Sequence, residues 1–165
     1  MLDRAITHIV WIFSYFFPVV LAGLYLVFVS IPNDRGFGDV IWFVLGAFLG
    51  NLFLLVDAKI LYPRYNELRT VPERLITRGF VFVLAYIAAS IFVVTSSGST
   101  LGIGMVLGIG YSIMAEMFAY LYTKREAFSQ RFLYQVQRRA TPAEEAGYVM
   151  AFLAVMLGLT TFGVF

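Results

Sequence analysis

Long apolar runs separated by short polar segments organise the whole chain. A helix needs about 20 predominantly apolar residues to span a hydrocarbon core about 30 Å thick. Most of the runs approach that length, and the polar segments between them are too short to fold alone. The pattern therefore predicts an all-α, polytopic transmembrane bundle forming one integral membrane domain. Its five spans are predicted at about residues 9–31, 40–62, 75–95, 101–123 and 146–165.

The first and last runs each admit a second interpretation. The first is longer than the roughly 7–15 apolar residues of a signal-peptide core and ends without a small-residue cleavage site, which favours an uncleaved span. The last has no polar tail after it, so a segment that enters the membrane without crossing it is the alternative to a fifth span.

Positive charge is concentrated in two of the connecting segments. Segment 63–78 carries four arginines, and segment 124–147 carries four arginines and a lysine. The first loop holds Arg35 alone, and segment 96–100 holds no basic residue. Lysine and arginine mark the cytoplasmic side of a membrane protein. Five spans place both basic segments there only if the N-terminus is cytoplasmic and the C-terminus lies outside.

Composition supports a membrane protein and excludes several kinds of metal and cofactor site. Hydrophobic residues make up 61% of the chain and charged residues 13%, about half the roughly 25% typical of soluble domains. The absence of cysteine excludes disulfides and thiolate metal sites, and one histidine cannot supply paired haem ligands. We therefore predict no cofactor and no metal. The net charge of +2 does not indicate nucleic acid, because topology explains the basic loops.

Segment 124–140 has a different pattern, which predicts a basic amphipathic helix on the inner face, either lying on the inner leaflet or extending the fourth span. Phe128, Phe132 and Val136 recur every four residues. One interpretation is contact with anionic lipid or a partner; the other, which we favour, is a topology signal that floats on the inner leaflet. The basic residues concerned are Lys124, Arg125, Arg131, Arg138 and Arg139.

Two Thr-x-x-Glu sequences predict helix starts. They are Thr70–Glu73, before the third span, and Thr141–Glu144, before the fifth. In this capping box the hydroxyl and the carboxylate bind the first free amides of a helix. Pro142 suits the first helical position, where its missing N–H has no consequence.

Polar side chains within or beside the spans mark the candidate site, because such groups are costly in a bilayer. Glu116 lies about two turns inside the inner end of the fourth span, and Asp57 lies at a similar depth in the second. Alternating spans place His8, Asp57, Arg78 and Glu116 in one layer near the cytoplasm. This layer is either a proton, cation or head-group site, or a structural ion pair such as Glu116–Arg78.

Small residues predict close helix contacts in the second and fourth spans. Gly46 and Gly50 are four residues apart, as are Gly104 and Gly108, and this spacing lets helices approach closely. Asn51 is expected to form a hydrogen bond between helices. Internal packing explains these positions, although a homo-oligomer or a partner membrane protein could use one face.

Three hypotheses for function remain. The favoured one is a non-enzymatic structural or assembly subunit of a membrane complex, since the loops are short and small-residue faces are present. The second is a small transporter or channel that uses Glu116 and Asp57; a Val-Leu-Gly repeat in the second and fourth spans suggests the duplicated hairpin seen in transporters. The third is an enzyme acting on membrane lipid. The expected location is a prokaryotic cytoplasmic membrane.

Overall fold

A computed structural model describes residues 16, 19–30, 36–61, 75–123, 125–136 and 140–164. Regular structure within these ranges is helical, with no strand. The helices are α1 (Val19–Phe28), α2 (Phe37–Val56), α3 (Phe80–Ser96), α4 (Thr100–Thr123), α5 (Arg125–Phe132) and α6 (Pro142–Val164). α1 passes into a π-helical turn at Leu26–Ser30, and Asp57–Leu61 continues α2 as a second π-helical turn. A 3₁₀ turn at Ile76–Arg78 precedes α3.

Within the described ranges, three helices are long and apolar enough to cross a membrane: Phe37–Leu61, Thr100–Thr123 and Pro142–Gly163. The described parts of α1 and α3 are apolar but shorter. Large apolar side chains cover the outside of the bundle, which is the reverse of a soluble protein and indicates a membrane location. Examples that are at least half exposed are Trp42, Phe48, Leu52, Val81, Phe92, Met150, Leu157 and Phe162.

α4 is the central helix of the bundle. In its most apolar 18-residue window 56% of the residues are buried, against 39% for α2 and 22% for α6. It contacts α2, α3, α5 and α6. Side chains brought by the other helices therefore meet on α4, and the candidate site lies at the end of this helix.

α2 and α4 run parallel and touch along their backbones. Gly104 faces Phe43, Gly108 faces Ala47, and Ser112 binds Asn51, so the register between the helices is constant. A methyl group built on Gly104 or Gly108, or on Gly46 or Gly50 opposite them, would lie within 3.0 Å of backbone atoms of the other helix. All four glycines predicted to pack helices are thus engaged inside the chain.

α3 forms an antiparallel hairpin with α4 through a three-residue turn, Ser97–Ser99. Gly98 occupies the left-handed region with φ of 57°, which glycine adopts without strain. Ser99 then accepts a hydrogen bond from the amide of Gly102 at 3.2 Å, which caps the start of α4. Lower in the hairpin, the Tyr86 hydroxyl donates to the carbonyl of Val106 at 2.6 Å.

α6 packs antiparallel to α4 and starts at Pro142, the first helical position that the Thr141–Glu144 capping box predicts. The box forms: the Thr141 amide donates to Glu144 at 2.7 Å, and the Glu144 amide donates to Thr141 at 3.4 Å. That box is confirmed, whereas Thr70–Glu73 lies outside the described residues. Further along, the Tyr111 hydroxyl lies 2.6 Å from Thr160 Oγ1.

The predicted amphipathic helix over 124–140 is wrong in extent and in orientation. α5 ends at Phe132 and is followed by a turn through Val136. Phe128 and Phe132 are fully buried in the protein core, not in the lipid leaflet. The turn also places Gln135, whose side-chain oxygen accepts from the amide of Val81 at 2.8 Å and so caps α3. Segment 125–136 therefore folds into the inner end of the bundle.

Because α2 and α4 are in close contact, alanine should destabilise the protein at a glycine between them but not at a glycine with open space beside it. Gly104→Ala should lower the free energy of unfolding by about 1–3 kcal/mol, because the added methyl group overlaps the α2 backbone. Gly158→Ala in α6 is the matched control: no atom lies within 4 Å of the new methyl group. This control should be neutral or slightly stabilising. Thermal unfolding in detergent measures both, and equal stability of the two variants would contradict the helix contact.

Candidate functional site

Glu116 is a buried carboxylate on α4 that is bound by two arginines. It is 3% exposed. Arg78 Nε donates to one carboxylate oxygen at 2.7 Å, and Arg131 Nε donates to the other at 2.7 Å. The Arg131 Nη2 nitrogen makes a second contact with the same oxygen. Charge-assisted bonds of this length are the strong class of hydrogen bond, so Glu116 joins three segments distant in sequence.

The 3₁₀ turn before α3 connects Glu116 to Asp57. Thr77 and Arg78 are adjacent in this turn and both are buried. The amide of Thr77 donates to Asp57 Oδ2 at 2.9 Å, and its hydroxyl donates to the same oxygen. Arg78 Nη1 donates to the Thr77 hydroxyl oxygen at 2.8 Å. Asp57, at the end of α2, is 1% exposed, so the turn links α2 to α4 through buried polar groups.

Arg131 reaches Glu116 because α5 turns back under the bundle. Phe128 and Phe132, on either side of Arg131, are anchored in the core, and this fixes the direction of the arginine. The guanidinium carbon lies 4.8 Å from the centre of the Tyr120 ring, a cation–π distance. The Arg131 side chain is only 12% exposed. It is therefore a partner of the intramembrane carboxylate, not a lipid-facing cation.

Asp57, Thr77, Arg78, Glu116 and Arg131, here called the inner network, balance in charge. Two carboxylates face two guanidinium groups, for a formal sum of zero. Burying an isolated charge costs several kcal/mol, and opposite charges with good geometry offset that cost. Both oxygens of Glu116 accept from arginine, so a proton or cation that approaches them has to compete with a guanidinium group.

Three further polar contacts join helices outside the inner network. The Ser112 hydroxyl donates to Asn51 Oδ1, joining α4 to α2 one turn above Glu116. Ser129 donates to Glu145 at 2.6 Å, and Arg125 pairs with the same carboxylate at 3.5 Å, joining α5 to α6. The Arg125 side chain is 52% exposed.

The structure brings some of the predicted residues together, whereas others lie outside the described ranges. Asp57, Arg78 and Glu116 lie together in the inner network, and Asn51 forms a bond between helices. His8 lies outside the described residues, as do Lys124, Arg138 and Arg139. Within the described ranges, no three histidine or acidic side chains are grouped closely enough to hold a metal ion.

Sequence reasoning missed Thr77 and Ser112, and it assigned Arg131 to the wrong surface. A signal for Arg131 existed: it follows Phe128 by three residues, a spacing that puts both on neighbouring positions of one helix face. Thr77 carried no such signal, because its role depends on a 3₁₀ turn. Ser112 follows Gly108 by four residues and so continues the stripe of α4 that faces α2.

The chain matches no protein-family model, no curated protein and no solved structure. Its function therefore has to be argued from its own geometry.

The inner network predicts a large effect of neutralising Glu116. Glu116→Gln leaves two buried guanidinium groups with reduced compensation, so the free energy of unfolding should fall by about 3–5 kcal/mol. Glu126→Gln on α5 is the matched control, since Glu126 is exposed. Thermal unfolding in detergent compares the two variants. A Glu116→Gln protein as stable as the control would show that the two arginines do not depend on this carboxylate.

Proposed function

We propose that the protein is a non-enzymatic structural or assembly subunit of a membrane complex. The observation that carries this proposal is the way Glu116 is bound. A carboxylate used for catalysis or for carrying a proton must be able to exchange partners, whereas Glu116 has an arginine on each oxygen. Such bonding favours a fixed junction between helices.

The other intramembrane polar groups support the same conclusion. Asp57 is held by the Thr77 amide and hydroxyl, and Asn51 is bound by Ser112. Each of these contacts joins two elements far apart in sequence. Polar bonds within a bilayer stabilise helix association by about 0.6–2 kcal/mol each, so their natural role is to hold the bundle together.

We further propose five spans with a cytoplasmic N-terminus, in a prokaryotic cytoplasmic membrane. Support comes from the directions of the helices: α3 and α6 are antiparallel to α4, whereas α2 is parallel to it, as alternate crossing requires. The basic loops then lie on the same side as the inner network. Exposed Arg125 would contact anionic lipid on that side.

This topology is directly testable because the chain has no cysteine. Single cysteines can be placed at Ser96, before the short turn between α3 and α4, and at Glu126 on α5; both positions are exposed. In intact cells a membrane-impermeant maleimide should label Ser96→Cys and not Glu126→Cys. Permeabilised cells provide the control, in which both should react. The reverse pattern would invert the orientation, and equal labelling in intact cells would contradict the alternation.

The assembly proposal predicts that the protein leaves its native membrane in a stoichiometric complex. Gentle detergent extraction followed by native mass determination measures this. The sharper variant removes all four charges, Asp57→Asn/Arg78→Met/Glu116→Leu/Arg131→Met, because replacing a buried ion network by uncharged residues is often neutral or stabilising. This variant should fold and assemble as the native chain does. A lone monomer from the native membrane would contradict the proposal.

Transport is the second candidate function, and one observation favours it. Asp57, Thr77, Arg78, Glu116 and Arg131 form a continuous series of hydrogen bonds from α2 to α5. Arginine exchange between the two carboxylates would be a means of moving charge. The same four-residue variant separates the two functions, since a transporter would fold but lose flux in proteoliposomes. The lipid-enzyme hypothesis rested on a layer of His8, Asp57, Arg78 and Glu116; the last three belong to the inner network, and His8 lies outside the described residues.

A further inference from the structure

The hydroxyl group of Thr77 lies between the two carboxylates of the inner network. It donates to Asp57 Oδ2 at 2.5 Å, and its oxygen accepts from Arg78 Nη1 at 2.8 Å. The same guanidinium group donates through Nε to Glu116 at 2.7 Å. One hydroxyl group therefore forms the step between a charge at the end of α2 and a charge on α4.

The chemistry of the donors fixes the direction of these bonds. A guanidinium group has only N–H donors, whereas a hydroxyl group has one proton and two lone pairs. Thr77 therefore has to accept from Arg78, and its single proton goes to Asp57. Hydrogen bonds that follow one another in this way polarise each other, so a change at one bond alters the strength of the next.

The surroundings of Thr77 hold the hydroxyl group in this arrangement. The residue is 3% exposed, and its amide donates to the same Asp57 oxygen at 2.9 Å. On the far side of the turn, a methyl group built on Gly79 would lie within 3.0 Å of the Tyr134 hydroxyl and the Gln135 side chain. The segment after α5 thus packs directly against the turn that carries Thr77. In such a buried site hydrogen bonds are stronger than in water, which favours coupling between them.

Asp57 and Glu116 also influence each other through space, and the two kinds of coupling differ in one respect. Charges act across space whether or not the Thr77 hydroxyl is present. The bonded series, in contrast, is interrupted when that hydroxyl is replaced by a methyl group. Valine has nearly the shape of threonine, so Thr77→Val makes this replacement with little change in packing.

We propose that Thr77 is a positioning residue whose hydroxyl group couples Asp57 to Glu116, so that the inner network responds as one unit. A change at the end of α2 is transmitted through Arg78 to Glu116, and from there to Arg131 on α5. This coupling goes beyond a fixed junction between helices, and it does not depend on the assembly role.

A double-mutant cycle repeated in different backgrounds tests the coupling. Asp57→Asn and Glu116→Gln are made singly and together, and unfolding in detergent is measured in the native, Thr77→Val and Thr77→Ser backgrounds. In the native background the effect of the pair on the unfolding equilibrium constant should differ from the product of the single effects by about 3- to 30-fold. Thr77→Val should bring the pair to within about twofold of that product, and Thr77→Ser, which keeps the hydroxyl, should restore the difference.

Thr95→Val is the matched control for removal of a hydroxyl group. The Thr95 hydroxyl is exposed on α3 and donates to the carbonyl of Ile91 in its own helix at 2.7 Å, so the coupling should be unchanged in this background. Equal coupling in the native and Thr77→Val backgrounds would overturn the proposal, because charge acting across space would then be sufficient. Additive effects in the native background would also overturn it. Thr77→Ala replaces Thr77→Val if the latter does not fold.

A second measurement applies if Glu116→Gln does not fold. Glu116→Asp keeps the negative charge but draws the carboxylate away from Arg78. Solid-state NMR of the ¹³C-labelled carboxyl carbon of Asp57, assigned with Asp57→Asn, should show a shift on Glu116→Asp in the native background and a smaller one or none in Thr77→Val. A shift of the same size in both backgrounds would overturn the proposal, as would no shift in the native background.

Discussion

The buried carboxylate of Glu116 is the constraint on which one end of the bundle depends. A charge at this depth is tolerated only with partners of opposite sign and good geometry. The partners come from two separate parts of the chain, the turn before α3 and helix α5. Satisfying one side chain therefore fixes where α3 begins and brings α5 back under the bundle.

The other end of the bundle is held by a different interaction. Hydrophobic burial does not drive helices together in lipid, so close packing and polar bonds do so. Glycines at four positions let α2 and α4 meet along their backbones, and the Asn51–Ser112 bond ends that contact. Beyond this bond, the inner network joins the two helices. α2 and α4 are thus held together along their length, by van der Waals contact at one end and by charged groups at the other.

The helical class, the packing faces and three residues of the inner network were predictable from the sequence. Length and hydropathy predicted the helical class and closely bounded α2 and α4, because a long apolar run has few alternatives. Glycine spacing predicted the packing faces, and the polar cost of a bilayer singled out Asp57, Arg78 and Glu116. The burial of Arg131 was not predictable from charge patterning, because it depends on where α5 ends.

The most direct test of the account is the distance between Glu116 and its arginines in a lipid bilayer. Solid-state NMR dephasing between ¹³C-labelled glutamate carboxyl carbons and ¹⁵N-labelled arginine side chains measures it, with Glu116→Gln identifying the signal. The account predicts strong dephasing of Glu116, reduced in part by Arg78→Gln and in part by Arg131→Gln. A Glu116 carboxyl carbon that no arginine dephases would contradict the inner network and the structural role built on it.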